Sequence, residues 1–249
     1  MNELYVEYRK QRHLYVWLIP LVFLAALFLW GMAGQRNLSD YDLAQGYSYL
    51  LYQFPVLNCI LMPTMLAVVA SRICDMEVKG QTWKLLFTLQ NKGGFYDRKF
   101  LTEFLYLLLF CLGELSVLLL YGAIYGYTEP LPVMLLLRHL SATLLAGCAV
   151  LTLQHILSLL SVNQIIPLLV GLAGSFLGLF SEFFPSALAR FVLWGYFGAF
   201  VPFGIDWDKA AQEILLIPRA FPTGLFIGFM AFTVLFYLMC RHIFIKREL

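Results

Sequence analysis

The chain has 249 residues, 61% of them hydrophobic and 13% charged, with a formal net charge of +2. At a mean hydropathy of +0.78 that much apolar surface cannot be hidden inside one water-soluble domain, so lipid must solvate it. Nucleic acid is not expected among the partners of so weakly charged a chain.

A helix needs about 20 apolar residues to cross the hydrocarbon core of a bilayer. Stretches of that kind are predicted at 14–34, 46–71, 100–125, 133–161, 165–184 and 221–243, which makes six spans with both termini on one side. Arg9, Lys10 and Arg12 precede the first run as they would in a signal peptide. That run is long for a signal core and no clear small-residue cleavage site follows Gly34, so a retained helix is expected. Arg9, Lys10, Arg12, Arg72, Lys79, Lys84, Lys92, Arg98, Lys99, Arg241, Lys246 and Arg247 fall on one side; Arg36, Arg138, Arg190, Lys209 and Arg219 fall on the other. The positive-inside rule makes the first side, and with it both termini, cytoplasmic.

Between the second and third spans lies the one long polar stretch, "DMEVKGQTWKLLFTLQNKGGFYDRK", 75–99. If 82–91 is helical, Lys84, Thr88 and Asn91 recur at i, i+4, i+7, while Trp83, Leu85, Leu86, Phe87 and Leu89 cover the remaining surface. So short an amphipathic helix needs either the membrane interface or a partner protein to cover it. Gly93 and Gly94 are expected to end it, and Asp97, Arg98 and Lys99 to mark re-entry into the membrane.

Further along, Glu114 falls well inside the third span, with no partner at equal depth evident; a buried ionisable group there is a functional candidate by default. Glu103 and His155 fall nearer the cytoplasmic ends of the third and fourth spans, close enough in depth to pair. Together these three form a candidate intramembrane polar site, with interhelical polar bonding as the plainer reading. The connection 161–164 is so short that the spans on either side must be antiparallel neighbours. Small residues in "GLAGSFLG", 171–178, suit close helix packing, either within the chain or against a second copy. The apolar segment 191–220 is rich in Gly and Pro and is expected to form an external re-entrant or interfacial hairpin, with Trp194, Tyr196 and Trp207 at headgroup level. A seventh helix there is the competing reading, and it conflicts with the charge rule.

Five cysteines show no paired spacing, so neither a disulfide frame nor a metal site is expected. The four histidines are isolated, with no H-E-x-x-H, and no paired Glu-Glu or G-x-S-G motif occurs, which argues against intramembrane proteolysis. There is no G-x-x-x-x-G-K-[ST], the loop that cradles nucleotide phosphates.

Glu77, Gly80, Thr82, Trp83, Lys84, Leu85 and Leu86, followed by Thr88-Leu89 and by Tyr96 and Lys99, resemble the characteristic patch of the ABC-2 type permeases. The Thr-Trp-Lys-Leu-Leu run and the opening "VEYRKQRHLYVWLIPL" are most similar to the lantibiotic-immunity permeases of Gram-positive bacteria, although Leu89-Gln90 stands where that family often has Leu-Pro. The resemblance implies an all-α polytopic membrane protein with an ABC-2, type V exporter-like fold: one permease domain over 1–249, a cytoplasmic coupling segment at 72–99 and an external hairpin at 191–220. It implies a bacterial plasma-membrane location and a non-catalytic subunit that expels amphiphilic antimicrobial peptide. ATP and Mg²⁺ would be bound by two copies of a partner ATPase, beside a second permease. Within the coupling helix Trp83, Leu86 and Phe87 would be apolar anchors and Glu77 and Lys84 rim charges, with Gly80, Thr82 and Lys99 completing the patch. A proton-coupled secondary transporter and an exporter of another lipophilic substrate (bacitracin-like peptide, toxin, lipid or drug) are the alternatives.

Overall fold

The computed structural model describes residues 14–35, 38–80, 87, 91–208 and 213–247. Six apolar helices dominate: α1 (Leu18–Gly34), α3 (Gly46–Gly80), α4 (Lys92–Tyr125), α5 (Val133–Leu160), α6 (Ile165–Ser181) and α9 (Thr223–Lys246). Of these, α3, α4, α5 and α9 are long and apolar enough to cross a membrane. The other two, α1 and α6, have 17 residues each, the short end of what spans a bilayer, about 17–25 residues. A single turn, α2 (Asp40–Leu43), links α1 to α3; Ser39 and Asp42 close a capping box at its start.

At 35 residues α3 is about 52 Å long, well beyond the ~30 Å hydrocarbon core. It therefore carries charge on an overhang instead of ending where charge begins. Of the segment 72–99, α3 takes in the residues up to Gly80 and α4 those from Lys92, which leaves 81–91 between the two helices. Gly93 and Gly94 do not end a helix. They lie in the first turn of α4, where the Asn91 side chain accepts from the Gly93 amide at 3.0 Å, an N-cap that satisfies an otherwise orphaned donor. Gly93 is small for a different reason: a Cβ there would stand 2.5 Å from the Arg241 guanidinium.

The central helix is α3, packed chiefly against α5 and α6 and also against α1 and α4. Two prolines, Pro55 and Pro63, lie inside it. Each removes a ladder hydrogen bond, which a membrane helix tolerates when a neighbour satisfies the freed carbonyls. The carbonyls they free are those of Leu51 and Cys59; next to the second, α6 lies in direct contact with α3, where Ser175 donates to the neighbouring Ile60 carbonyl at 2.6 Å and lies 2.9 Å from the Thr64 hydroxyl. The glycines of 171–178 make this approach possible. A Cβ on Gly171 would collide with Ala67 and come within 3.0 Å of the Pro63 carbonyl, and one on Gly174 would enter the Trp194 indole. The small-residue face is thus buried inside this chain, not left for a second copy. Phe54, Met62, Phe110, Tyr121 and Val150 fill the core, while Leu105, Leu112, Leu235 and Leu238 face outward, as a lipid-solvated surface requires.

The segment 191–220 departs from an all-α fold. After α7 (Ser186–Ala189), a 3₁₀ turn (Leu193–Gly195) and α8 (Tyr196–Ala199), the strands β1 (Phe203–Asp208) and β2 (Glu213–Pro218) pair antiparallel, from Phe203 opposite Pro218 to Asp208 opposite Glu213. The paired strands form a hairpin within the expected segment, and no seventh spanning helix occurs among the described residues here. Phe203 enters the core, whereas Ile205, Leu215 and Ile217 are exposed. Tyr196 stacks on Phe229 with ring centroids 3.7 Å apart, which ties this cap to α9.

Close packing at α3–α6 predicts that Gly171→Leu destabilises the protein by about 1–3 kcal/mol, the usual cost of overpacking, whereas Gly224→Ala, with nothing near its Cβ, is neutral. Thermal unfolding in detergent compares the two. An unchanged midpoint in Gly171→Leu would mean that the helices are not held this tightly.

Candidate functional site

An ionised side chain between membrane helices is costly unless a partner and hydrogen bonds neutralise it. In this chain the buried charges are gathered at the α3–α4–α5 junction. Near the start of α4, Glu103 Oε2 lies 2.8 Å from His155 Nδ1 of α5, both side chains fully buried. The Cys74 thiol of α3 points at the other carboxylate oxygen, 3.6 Å away. Tyr96, two turns before Glu103, sets its ring edge-to-face on the imidazole at 4.5 Å. One turn before Glu103, Lys99 is 1% exposed; its ammonium lies 3.4 Å from Glu77 and 3.2 Å from the Ile73 carbonyl, and 5.3 Å from the Phe95 ring centre. These contacts join the end of α3 to the start of α4. His155 Nε2, Ser158 Oγ and the Tyr96 hydroxyl are buried without a hydrogen-bond partner among the described residues.

Cys74, Glu103 and His155 each offer one donor atom within 4.8 Å of the others. Thiolate, carboxylate and imidazole form a transition-metal donor set, and sequence spacing could not reveal it because the three residues come from three helices. Their donors already engage one another, and they supply three of the four ligands of a structural zinc site.

About three turns further along α4, Glu114 is also buried. Contrary to the expectation from sequence, it has partners: Asn58 Nδ2 of α3 donates to it at 2.8 Å, and His139 Nε2 of α5 lies 3.2 Å away. The antiparallel α4–α5 pair thus carries two acid–imidazole contacts at two depths.

A third polar group fastens α9 to the foot of α4. Arg241 donates to both oxygens of Asp97, at 2.7 and 3.0 Å, and the Tyr237 hydroxyl donates to the same carboxylate at 2.7 Å. Lys92 donates to the Arg247 carbonyl at 2.8 Å, and Arg247 to that of Leu160 at 3.2 Å. Sequence reading missed this clasp because nothing local places α9 beside α4.

Among the expected coupling residues, Thr82, Trp83, Lys84 and Leu86 lie outside the described residues. Gly80 is the last residue of α3. Glu77, expected as a rim charge, is only 4% exposed and turned inward to Lys99. Phe87 is half-buried against Phe95 and Phe244, at centroid distances of 5.7 and 6.2 Å, so part of its ring surface is engaged within the chain.

A family model described as ABC-2 family transporter protein matches residues 4–178. No curated protein matches the chain.

Removing one member of a buried pair leaves the other uncompensated, at a cost of about 3–5 kcal/mol, whereas replacing both with apolar residues is often neutral or better. His155→Leu is therefore expected to lower the unfolding temperature in detergent more than the double variant Glu103→Leu/His155→Leu. Equal losses in the single and double variants would show that the contact is not a neutralising pair.

Proposed function

The chain belongs to the ABC-2 family of transporter proteins, and we propose that it is the permease subunit of an exporter that expels amphiphilic antimicrobial peptide, powered by ATP hydrolysis on a separate subunit. A membrane component of this family works without nucleotide chemistry of its own, in keeping with the absence of a phosphate-cradling loop from its sequence. Two copies of the ATPase and a second permease, identical or related, complete the transporter in this reading. The peptide class rests on the likeness of Thr82–Leu86 and of the N-terminal stretch to lantibiotic-immunity permeases, and the bacterial plasma membrane and cytoplasmic termini rest on that likeness and on the distribution of Lys and Arg.

The observation that carries the reading is the buried Lys99–Glu77 pair. It ties the two helices flanking 81–91 to each other, so a force applied to that short connector moves α3 and α4 together. The Glu103–His155 and Asp97–Arg241 contacts pass the same displacement to α5 and α9. A docked ATPase that closes on nucleotide would thereby shift a packed unit and not a loose loop. Trp83 and Leu86 are the apolar anchors of the docking surface in this reading, and Lys84 its rim charge.

The Glu114–His139 contact favours a second reading, transport coupled to protons, because an acid beside an imidazole deep between helices is a natural proton-handling pair. Two experiments separate the readings. Expressed with its genomic neighbours and purified through a tag on this chain, the permease is expected to bring down an ATPase whose turnover rises with antimicrobial peptide, and Trp83→Ala is expected to lose both. Retention of both in Trp83→Ala removes the docking assignment. In Glu114→Gln, transport with unaltered pH dependence dismisses the proton reading, and loss of that dependence supports it.

A further inference from the structure

Between α4, α5 and α9 runs a groove of about 480 Å³, inside the range of small-molecule sites, about 300–1,000 Å³. Leu101 and Phe104 of α4, Thr152 of α5, and Thr233, Val234 and Tyr237 of α9 are among its lining residues. The threonines add little polarity, since Thr152 donates to the Cys148 carbonyl and Thr233 to that of Phe229, each at 2.8 Å within its own helix. Leu101 and Val234 are both exposed on the outer surface of the bundle. The groove therefore opens sideways, where these helices meet lipid.

One end of the groove has a different character. Asp97 lines it there, held by Arg241 and Tyr237. Beyond this acid and outside the lining itself, the foot of α4 and the end of α9 bring basic residues together: Lys92 reaches the Arg247 carbonyl, Arg241 presses on Gly93, and Arg98 follows Asp97 in the chain. Asp97 occupies Nε and one terminal nitrogen of Arg241, and a guanidinium has five N–H donors in all. Among the described residues, basic side chains thus outnumber acids just beyond the polar end of an apolar, laterally open slot.

We propose that the groove holds a phospholipid with an anionic headgroup, one acyl chain lying along Leu101, Phe104 and Val234 and the phosphate resting on the basic cluster of Lys92, Arg241 and Arg247. Hydrocarbon matches the lining, and an anionic headgroup matches the charge, as at other basic pockets between membrane helices. A zwitterionic lipid satisfies the first requirement without the second, so headgroup charge is the discriminating variable.

The test is native mass spectrometry of the full chain, with any subunits that accompany it, released from detergent after addition of phosphatidylglycerol or phosphatidylcholine of identical acyl composition. The expected result is an occupancy constant about tenfold or more in favour of phosphatidylglycerol. Val234→Trp, which fills the groove, is expected to lose the bound lipid. Leu235→Trp, on the same helix and 66% exposed outside the lining, is expected to keep it. Lys92→Gln leaves the Asp97–Arg241 clasp in place and is expected to shrink the preference for phosphatidylglycerol while retaining lipid. Equal occupancy by the two lipids in the unaltered protein, or undiminished phosphatidylglycerol binding in Val234→Trp, would overturn the assignment.

Discussion

A carboxylate withdrawn from water between membrane helices must be neutralised by its neighbours, and the arrangement of this protein follows from that requirement. Glu77, Glu103 and Glu114 are all buried, and each finds a basic side chain on a different helix or a different stretch of chain. Glu77 takes Lys99, Glu103 takes His155, and Glu114 takes His139 together with the Asn58 amide. These contacts set the depth at which α3, α4 and α5 face one another, because sliding any of the three would leave a charge alone in hydrocarbon. Apolar packing in a bilayer has no comparable power to set register, since lipid tails are as apolar as leucine.

Packing provides the second restraint. Around α3 the prolines loosen the helix ladder, and α6 approaches through glycines closely enough for Ser175 to bond the Ile60 carbonyl. On the opposite side, the Asp97–Arg241–Tyr237 clasp holds α9 at the foot of α4, so the connector 81–91 is bounded by a foundation assembled from α3, α4, α5 and α9.

Much of the helical layout was legible in the sequence because a bilayer demands apolar runs of near-fixed length, and such runs stand out against charged ends. What escaped was whatever depends on two helices meeting. Glu114 reads as solitary along the chain because Asn58 lies 56 residues away and His139 belongs to another helix. The Asp97 clasp joins residues 140 and 144 positions apart, with no local trace. A hairpin was expected over 191–220, but its strands were not, because they are six residues each, too short for alternation to be distinguished from the apolar, Gly- and Pro-rich sequence around them. The ends of α3 and α4 were misjudged for a further reason: charge was taken as the end of a helix, although a helix longer than the bilayer is thick keeps its hydrogen bonds in water.

The two acid–imidazole contacts along α4 and α5 also bear on how the chain is built. As synthesis proceeds, α4 emerges with Glu103 one turn from Lys99 and with Glu114, which has no counter-charge near it on that helix, so entering lipid alone would carry the cost of an unpaired acid. The next helix to emerge is α5, short-looped and antiparallel, with His155 and His139 at the matching levels. Paired with α5, α4 would enter the membrane as a neutralised helical hairpin, and the order of segments along the chain would then also be the order in which charge is silenced. Moving α5 to another place in the sequence could preserve every contact of the finished molecule and still strand α4 at the membrane during its birth.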